Sequence, residues 1–232
     1  RIERDDFLEN DDKIHPLYHV ICLMWAHSKY YGTNKRMIFL FQMISNMIIE
    51  SSSKFLDPGS LFQGEPDESL NMLTKVINIL EKYRSCFMEY REKLPNYALR
   101  EKNSPPWSFY PKDIFGRFDV YMKRLYTIKD IFEKAYEFYK AEKIELGGVR
   151  GRYLTRCLQE ITTEFRITYA KWTQIQFDPL DADPKKKEFK IQLKLFERES
   201  EILERRMAAV VVQAIDECFT LESFIKFMEI CS

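Results

Sequence analysis

The sequence predicts an all-α fold, an elongated array of antiparallel long-helix bundles, and three observations carry that expectation. Apolar residues recur at helical spacing along most of the 232 residues, and over 112–140 they form an unbroken heptad seam. Only 7 glycines occur, against about 16 at ordinary usage, so the chain is poor in the tight turns that many short strands need. Aromatic residues are plentiful, 18 Phe and 13 Tyr, and they step by three and four rather than alternating.

The first helix is expected to start at Pro16, because proline lacks an N–H and is tolerated where that donor has no intrahelical partner. Leu17, Val20, Ile21, Met24 and Trp25 form its apolar stripe, and Gly32 offers a left-handed stop. A second helix over 34–55 carries Ile38, Phe41, Ile44 and Ile48 with further apolar residues around it, which predicts a central place in its bundle. Asp57-Pro58-Gly59 reads as a turn. The third helix begins near Pro66, where Asp67 and Glu68 complement the helix dipole, and continues through Leu70, Leu73, Ile77, Leu80, Phe87 and Leu94. Residues 95–111 form a proline-rich loop in which Trp107 and Phe109 are expected to pin the loop to the bundle.

The fourth helix carries the clearest signal. Ile114, Phe118, Tyr121, Leu125, Ile128, Phe132, Ala135 and Tyr139 follow a 4-3-4-3-4-3-4 spacing, the seam that packs knobs into holes against a partner helix. The fifth repeats it with Leu154, Leu158, Ile161, Phe165, Trp172 and Ile175, broken at Thr168. Gly147, Gly148 and Gly151 lie between the two, so they are expected to run antiparallel. A sixth helix from near Pro184 to about Cys218 carries Phe189, Leu193, Phe196, Leu203, Met207, Val210 and Ala214, with Ser200 as a polar gap. Thr220 reads as the N-cap of a last helix containing Phe224, Phe227 and Met228. The expected division is a charged leader at 1–15, a helical bundle with a proline-rich loop at 16–110, and a long-helix bundle at 111–232. The first residue is not Met and the last helix stops in mid-pattern, which reads as a piece of a longer chain.

Charge and motif content bound the chemistry. Lys plus Arg and Asp plus Glu number 36 each, whereas nucleic-acid binders usually carry a basic excess, so no nucleic-acid partner is expected. The longest apolar stretch is interrupted by Gln42, Ser45 and Asn46, too early for a membrane span. Five widely spaced cysteines suit reduced thiols better than a disulfide framework. His15, His19, Cys22 and His27 invite a metal-site reading. His27, however, sits five residues past Cys22, turned about 140° away, and no second cysteine pair completes a tetrahedral set. Packing and capping are the expected roles. The glycine cluster lacks the Gly-Lys-Ser/Thr of a phosphate loop and does not follow a strand. Accordingly no catalytic, cofactor-binding or metal-ligating residue is assigned, and the segment is expected not to be an enzyme. Arg205 and Arg206 could clamp carboxylates on a neighbouring helix or across an interface. With Arg150 and Arg152 of the glycine turn they are the candidate partner-binding residues.

Several stretches in order resemble the N-terminal tail region of dynein heavy chains. His15-Pro16-Leu17-Tyr18-His19-Val20 leads into Trp25-Ala26-His27-Ser28-Lys29-Tyr30-Tyr31, whose Trp-x-x-Ser-x-x-Tyr core is similar to the axonemal (ciliary) members. Ile114-Phe115-Gly116-Arg117-Phe118, Arg124-Leu125, the turn Gly147-Gly148-Val149-Arg150-Gly151 and Phe177-Asp178-Pro179-Leu180 follow. Leu203-Glu204-Arg205-Arg206, Gln213-Ala214-Ile215-Asp216 and Leu221-Glu222-Ser223 complete the series, and Met207-Ala208-Ala209 departs from the leucine-then-glycine of the family. The resemblance implies a tail segment of a microtubule motor in the axoneme of cilia or flagella. It implies a scaffold for other heavy chains, intermediate chains and light chains, held on the doublet microtubule through the assembled arm, with no membrane partner. ATP and magnesium would belong to a motor ring elsewhere in the parent chain, with no cofactor in this segment. A non-motor helical tether is the alternative, and a small all-α metalloenzyme built on the histidine cluster is the rival from another class.

Overall fold

The computed structural model describes residues 7–97, 107–147, 149–183, 185–216 and 225, and among these every regular element is helical. The order is α1 (Asn10–His27), α2 (Asn34–Leu56), the short α3 (Pro58–Gln63), α4 (Pro66–Lys93) with a 3₁₀ turn at Leu94–Tyr97, α5 (Pro111–Glu142), α6 (Gly151–Thr173) and α7 (Glu188–Asp216). The chain divides into two compact units, one of Arg1–Gly64, Glu68–Lys129 and Leu180–Ala182, the other of Glu65–Asp67, Asp130–Pro179 and Asp183–Ser232. Apart from Ile225, the expected last helix from Thr220 lies outside the described residues, as do Gly148 and Pro184.

In the first unit, α1 begins six residues before the expected proline. Asp11 and Asp12 occupy its first turn, the sign the helix dipole favours, and Lys13 pairs with Glu9 one turn back at 3.4 Å. Ile14 is buried, as is Phe7, which packs on Phe55 at 5.7 Å. Apolar burial and N-terminal electrostatics thus carry the helix through Pro16, at the loss of one backbone bond. The helix also stops earlier than Gly32. The Ser28 hydroxyl accepts the backbone N–H groups of Tyr30 and Tyr31, both at 3.2 Å, a local bond that competes with helix continuation.

Helix α2 buries Met37, Phe41, Ser45, Ile49, Ser52 and Leu56 along one face. Phe39, Met43 and Met47 stay exposed, so the expected central position is not adopted. The two buried serines account for the shift in face. Ser45 Oγ lies 3.2 Å from the Tyr83 hydroxyl, and Ser52 Oγ lies 2.9 Å from the Ile49 carbonyl and 3.1 Å from the Tyr121 hydroxyl. A hydroxyl so partnered is buried at little cost.

The expected α4 stripe is buried from Leu73 to Leu94, and Tyr83 and Tyr90 join it. The Tyr18 hydroxyl donates to the Tyr83 carbonyl at 2.8 Å. Burial raises the Tyr83 phenol to about 12 and also raises that of Tyr18 well above its ordinary value of 10.0. The folded state therefore keeps protons that the unfolded chain releases. This contribution to stability is complete below pH 10 and is lost as pH climbs toward 12. Far-UV circular dichroism followed with tyrosinate absorbance should show both changing together in that interval.

The loop before α5 closes over this core. Trp107 is fully buried and Phe109 nearly so, which is the pinning role expected of them. Trp107 stacks on Phe87 at 5.5 Å and 8° and meets Phe41 edge-on at 5.1 Å. Its backbone is held at φ 42, a left-handed conformation that costs a side-chain-bearing residue about 1–2 kcal/mol.

Seven of the eight α5 seam positions are buried, Ile114, Phe118, Tyr121, Leu125, Ile128, Phe132 and Ala135. Phe115, Met122, Ile131 and Phe138 are buried as well. The apolar stripe is thus wider than a two-stranded seam, as a helix packed inside a bundle requires.

In the second unit, α5 and α6 run antiparallel, as expected. Glu142 pairs with Arg166 at 2.6 Å, Phe138 stacks on Phe165 with centroids 3.9 Å apart, and Phe132 reaches Tyr169 at 6.4 Å. Gly151 shows why the reversal needs glycine. A Cβ there would lie 2.3 Å from the Leu146 carbonyl oxygen, where no side-chain carbon fits beside backbone. Gly151→Ala should destabilise the protein by about 1–3 kcal/mol, read as a lower urea midpoint with an unchanged slope.

Helices α6 and α7 pair antiparallel as well. Trp172 meets Phe189 at 5.5 Å and Phe165 meets Phe196 at 6.0 Å. The two polar gaps are satisfied in place: the Thr168 hydroxyl donates to Glu199 at 3.1 Å, and that of Ser200 donates to the Glu197 carbonyl at 3.1 Å. α7 starts at Glu188, and Ile175 lies beyond the end of α6.

Candidate partner-binding face

The four candidate arginines all belong to the second unit, carried by two elements. Arg150 is the residue preceding α6, with φ −99 and ψ 8, and Arg152 lies in the first helical turn. Both are exposed. The turn that presents them is fixed from behind, by the Gly151 contact with Leu146 and by the Leu146 N–H, which donates to Thr155 Oγ1 at 2.9 Å. Leu146 and Leu154 are buried beside it.

Arg205 and Arg206 lie on α7 and take different partners. Arg206 grips Glu164 of α6 with both terminal nitrogens, Nη2 donating to Oε1 at 3.0 Å and Nη1 to Oε2. The bond to Arg206 holds the Glu164 carboxyl below its usual range, and the same bond raises the guanidinium. Arg206 thus adopts the inter-helix clamp of the two roles foreseen for this pair. Arg205 turns to Glu201, one turn back on its own helix, and stays largely exposed at 76% of its side-chain surface. Such exposed pairs are worth about 0–1 kcal/mol.

Antiparallel pairing places Glu164 and Arg206 level with each other. Arg152 lies twelve residues back along α6, about 18 Å at 1.5 Å per residue. The four arginines therefore form two separate stations, one at the turn and one along α7. Sequence reasoning did not find the apolar companion of the second station. Ile191, Leu195, Ile202 and Val212 of α7 are each about half exposed. With Arg198, Arg205 and Ala209 they follow a strict 4-3-4-3-4-3 spacing. The signal was legible as a second heptad register beside the buried one.

The histidine cluster of α1 does not converge. Cys22 is fully buried and its thiol is pushed up to about 12 by burial. His19 Nδ1 lies 2.9 Å from the Tyr97 hydroxyl, His27 stands in the last turn of the helix, and His15 faces α4. Among the described residues no helix is long and apolar enough to cross a membrane.

The family model described as dynein heavy chain, N-terminal region 1, matches residues 1–232. The ciliary dynein beta chain of Heliocidaris crassispina is 35% identical over 232 residues, covering 99% of this chain and 5% of that one. Dynein axonemal heavy chain 11 of Sus scrofa is 32% identical over 229 residues, again 99% and 5%. The flagellar outer-arm dynein beta chain of Chlamydomonas reinhardtii is 31% identical over 227 residues, 97% and 5%. The chain spans about 5% of the length of these curated relatives.

Proposed function

The chain belongs to the dynein heavy-chain family as N-terminal region 1 of the axonemal type, part of the tail of a microtubule motor, and on that premise we propose that it works as a scaffold. Its helix faces join heavy chains and carry intermediate and light chains, and the assembled arm rests on the doublet microtubule. ATP hydrolysis and its magnesium belong to the motor ring of the parent chain. The observation that carries the reading is the match to N-terminal region 1 along the whole chain.

Two features support the scaffold role. The outer stripe of α7 offers an apolar seam at the spacing another helix can enter, and Arg198 and Arg205 within it can meet carboxylates on that partner. The Arg150–Arg152 turn offers a second, cationic contact held rigidly by Gly151. Arg206 contributes through Glu164, fixing α7 against α6 so that the stripe is presented in one register.

The test is binding of the purified chain to a purified ciliary dynein intermediate chain, measured by co-elution and calorimetry. The expected result is a defined complex weakened about tenfold by joint Arg150→Glu and Arg152→Glu replacement. An absence of binding to intermediate, light and neighbouring heavy chains alike at low salt contradicts the proposal.

A further inference from the structure

In the first unit, α1 and α4 lie side by side and run in the same direction. Lys82 Nζ donates to the Asp11 carbonyl and carboxylate, both at 2.9 Å, one turn before His15 meets Cys86. The result is a convergence of three different donor types from residues far apart in sequence. Cys86 Sγ lies 3.8 Å from His15 Nδ1 and 3.9 Å from Nε2. One Glu89 carboxylate oxygen joins them, and the three ligand atoms all lie within 4.8 Å of one another.

We propose that His15, Cys86 and Glu89 form a binding site for a zinc-class divalent cation that staples α1 to α4. A tetrahedral zinc ion with bonds of about 2.0–2.3 Å holds its ligand atoms about 3.4–3.6 Å apart. The His15–Cys86 separation therefore needs a contraction of about 0.3 Å, and the Glu89 oxygen a movement of at most about 1.4 Å by side-chain rotation. Imidazole, thiolate and carboxylate are the donor set zinc prefers over magnesium or calcium, which take oxygen alone. Cys86 and Glu89 stand three residues apart on α4, on one face, so a single helix fixes two ligands and α1 supplies the third.

The surroundings fit the role. The Tyr90 hydroxyl lies 3.4 Å from His15 Nδ1 and the two rings pack at 5.9 Å. With Nε2 given to the metal, this would be the outer contact that orients the imidazole. Lys93 engages Glu89 Oε1, which orients the carboxylate and leaves its second oxygen available. Cys86 is buried while His15 and Glu89 are exposed. An ion can thus enter from the solvent side, release the thiol proton to water, and keep a fourth position for water or for a side chain of a bound subunit. The staple would fix the pairing of α1 and α4 without using any residue of the arginine-bearing face.

The test is titration of the reduced 232-residue chain with cobalt(II), then zinc(II). A sulfur-to-cobalt charge-transfer band that saturates at one equivalent, and that zinc abolishes by displacement, is the expected result. Cys86→Ser removes the band. His15→Ala and Glu89→Gln, which alter exposed side chains and keep the helical spectrum, each weaken binding by more than about tenfold, and Tyr90→Phe weakens it about tenfold. His19→Ala leaves it unchanged. If Cys86→Ser fails to fold, the two exposed variants decide between a site and none. Absence of the band, its persistence in Cys86→Ser, or full affinity in both His15→Ala and Glu89→Gln overturns the proposal.

Discussion

Trp107→Ala should remove about 3–5 kcal/mol from the first unit, the scale for a fully buried aromatic cut back to a methyl group. The indole is enclosed by Phe87 on one face and Phe41 at an edge, and it has no surface exposure. Its backbone already sits in a left-handed conformation, and only side-chain burial offsets that strain. Among the described residues its ring N–H has no hydrogen-bond partner, so the contacts that hold the ring are packing ones. Trp107→Phe should accordingly recover a large part of the loss. Urea unfolding would show a lower midpoint with an unchanged slope. A change under about 1 kcal/mol would mean that the ring does not close the core.

Phe165→Ala should cost the second unit about 3–5 kcal/mol. Phe165 is buried completely and touches three elements at once. It stacks face to face on Phe138 of α5, meets Phe196 of α7 at 6.0 Å, and lies 6.2 Å from Tyr169 on its own helix. No neighbour can fill the hole without leaving its own contacts, so the cavity stays open. Amide exchange should accelerate in α6, in α7 and in the 130–142 part of α5. Exchange confined to α6 would contradict the three-helix contact.

What the sequence made legible follows from the strength of each local signal. The α5 seam was readable because eight apolar residues hold one period over about seven turns, and burial follows that period. The antiparallel reversal after it was readable because glycine at 151 has a steric reason, contact with the Leu146 carbonyl. The limits of α1 were not readable. Proline at 16 reads as a helix start, yet the helix begins at Asn10 with Ile14 and Phe7 buried, and that burial depends on distant residues such as Phe55. The face of α2 was misjudged for a similar reason. Ser45 and Ser52 count as polar in any pattern, but Tyr83 and Tyr121 make them buried ones.

The candidate site divides the same way. Arg205 and Arg206 stood out as adjacent cations, and a single sequence could not tell which would turn toward α6. Helical geometry decides it, since neighbouring residues point about 100° apart and only Arg206 faces Glu164. The His15, Cys86 and Glu89 convergence was out of reach for another reason. Its members are 71 residues apart at the nearest crossing, and the local cluster with His19, Cys22 and His27 drew the comparison to the wrong partners.

The central claim, that this segment is a tail scaffold rather than an isolated helical unit, is tested most directly in the assembled dynein arm. Cross-linking mass spectrometry on intact arms that contain this heavy chain would place lysines beside the proposed faces, Lys190 and Lys194 for the α7 stripe and Lys143 for the turn. The account predicts links from these residues to an intermediate chain, a light chain or a second heavy chain. Links confined to this chain itself, with those lysines freely modified in the assembled arm, would contradict it.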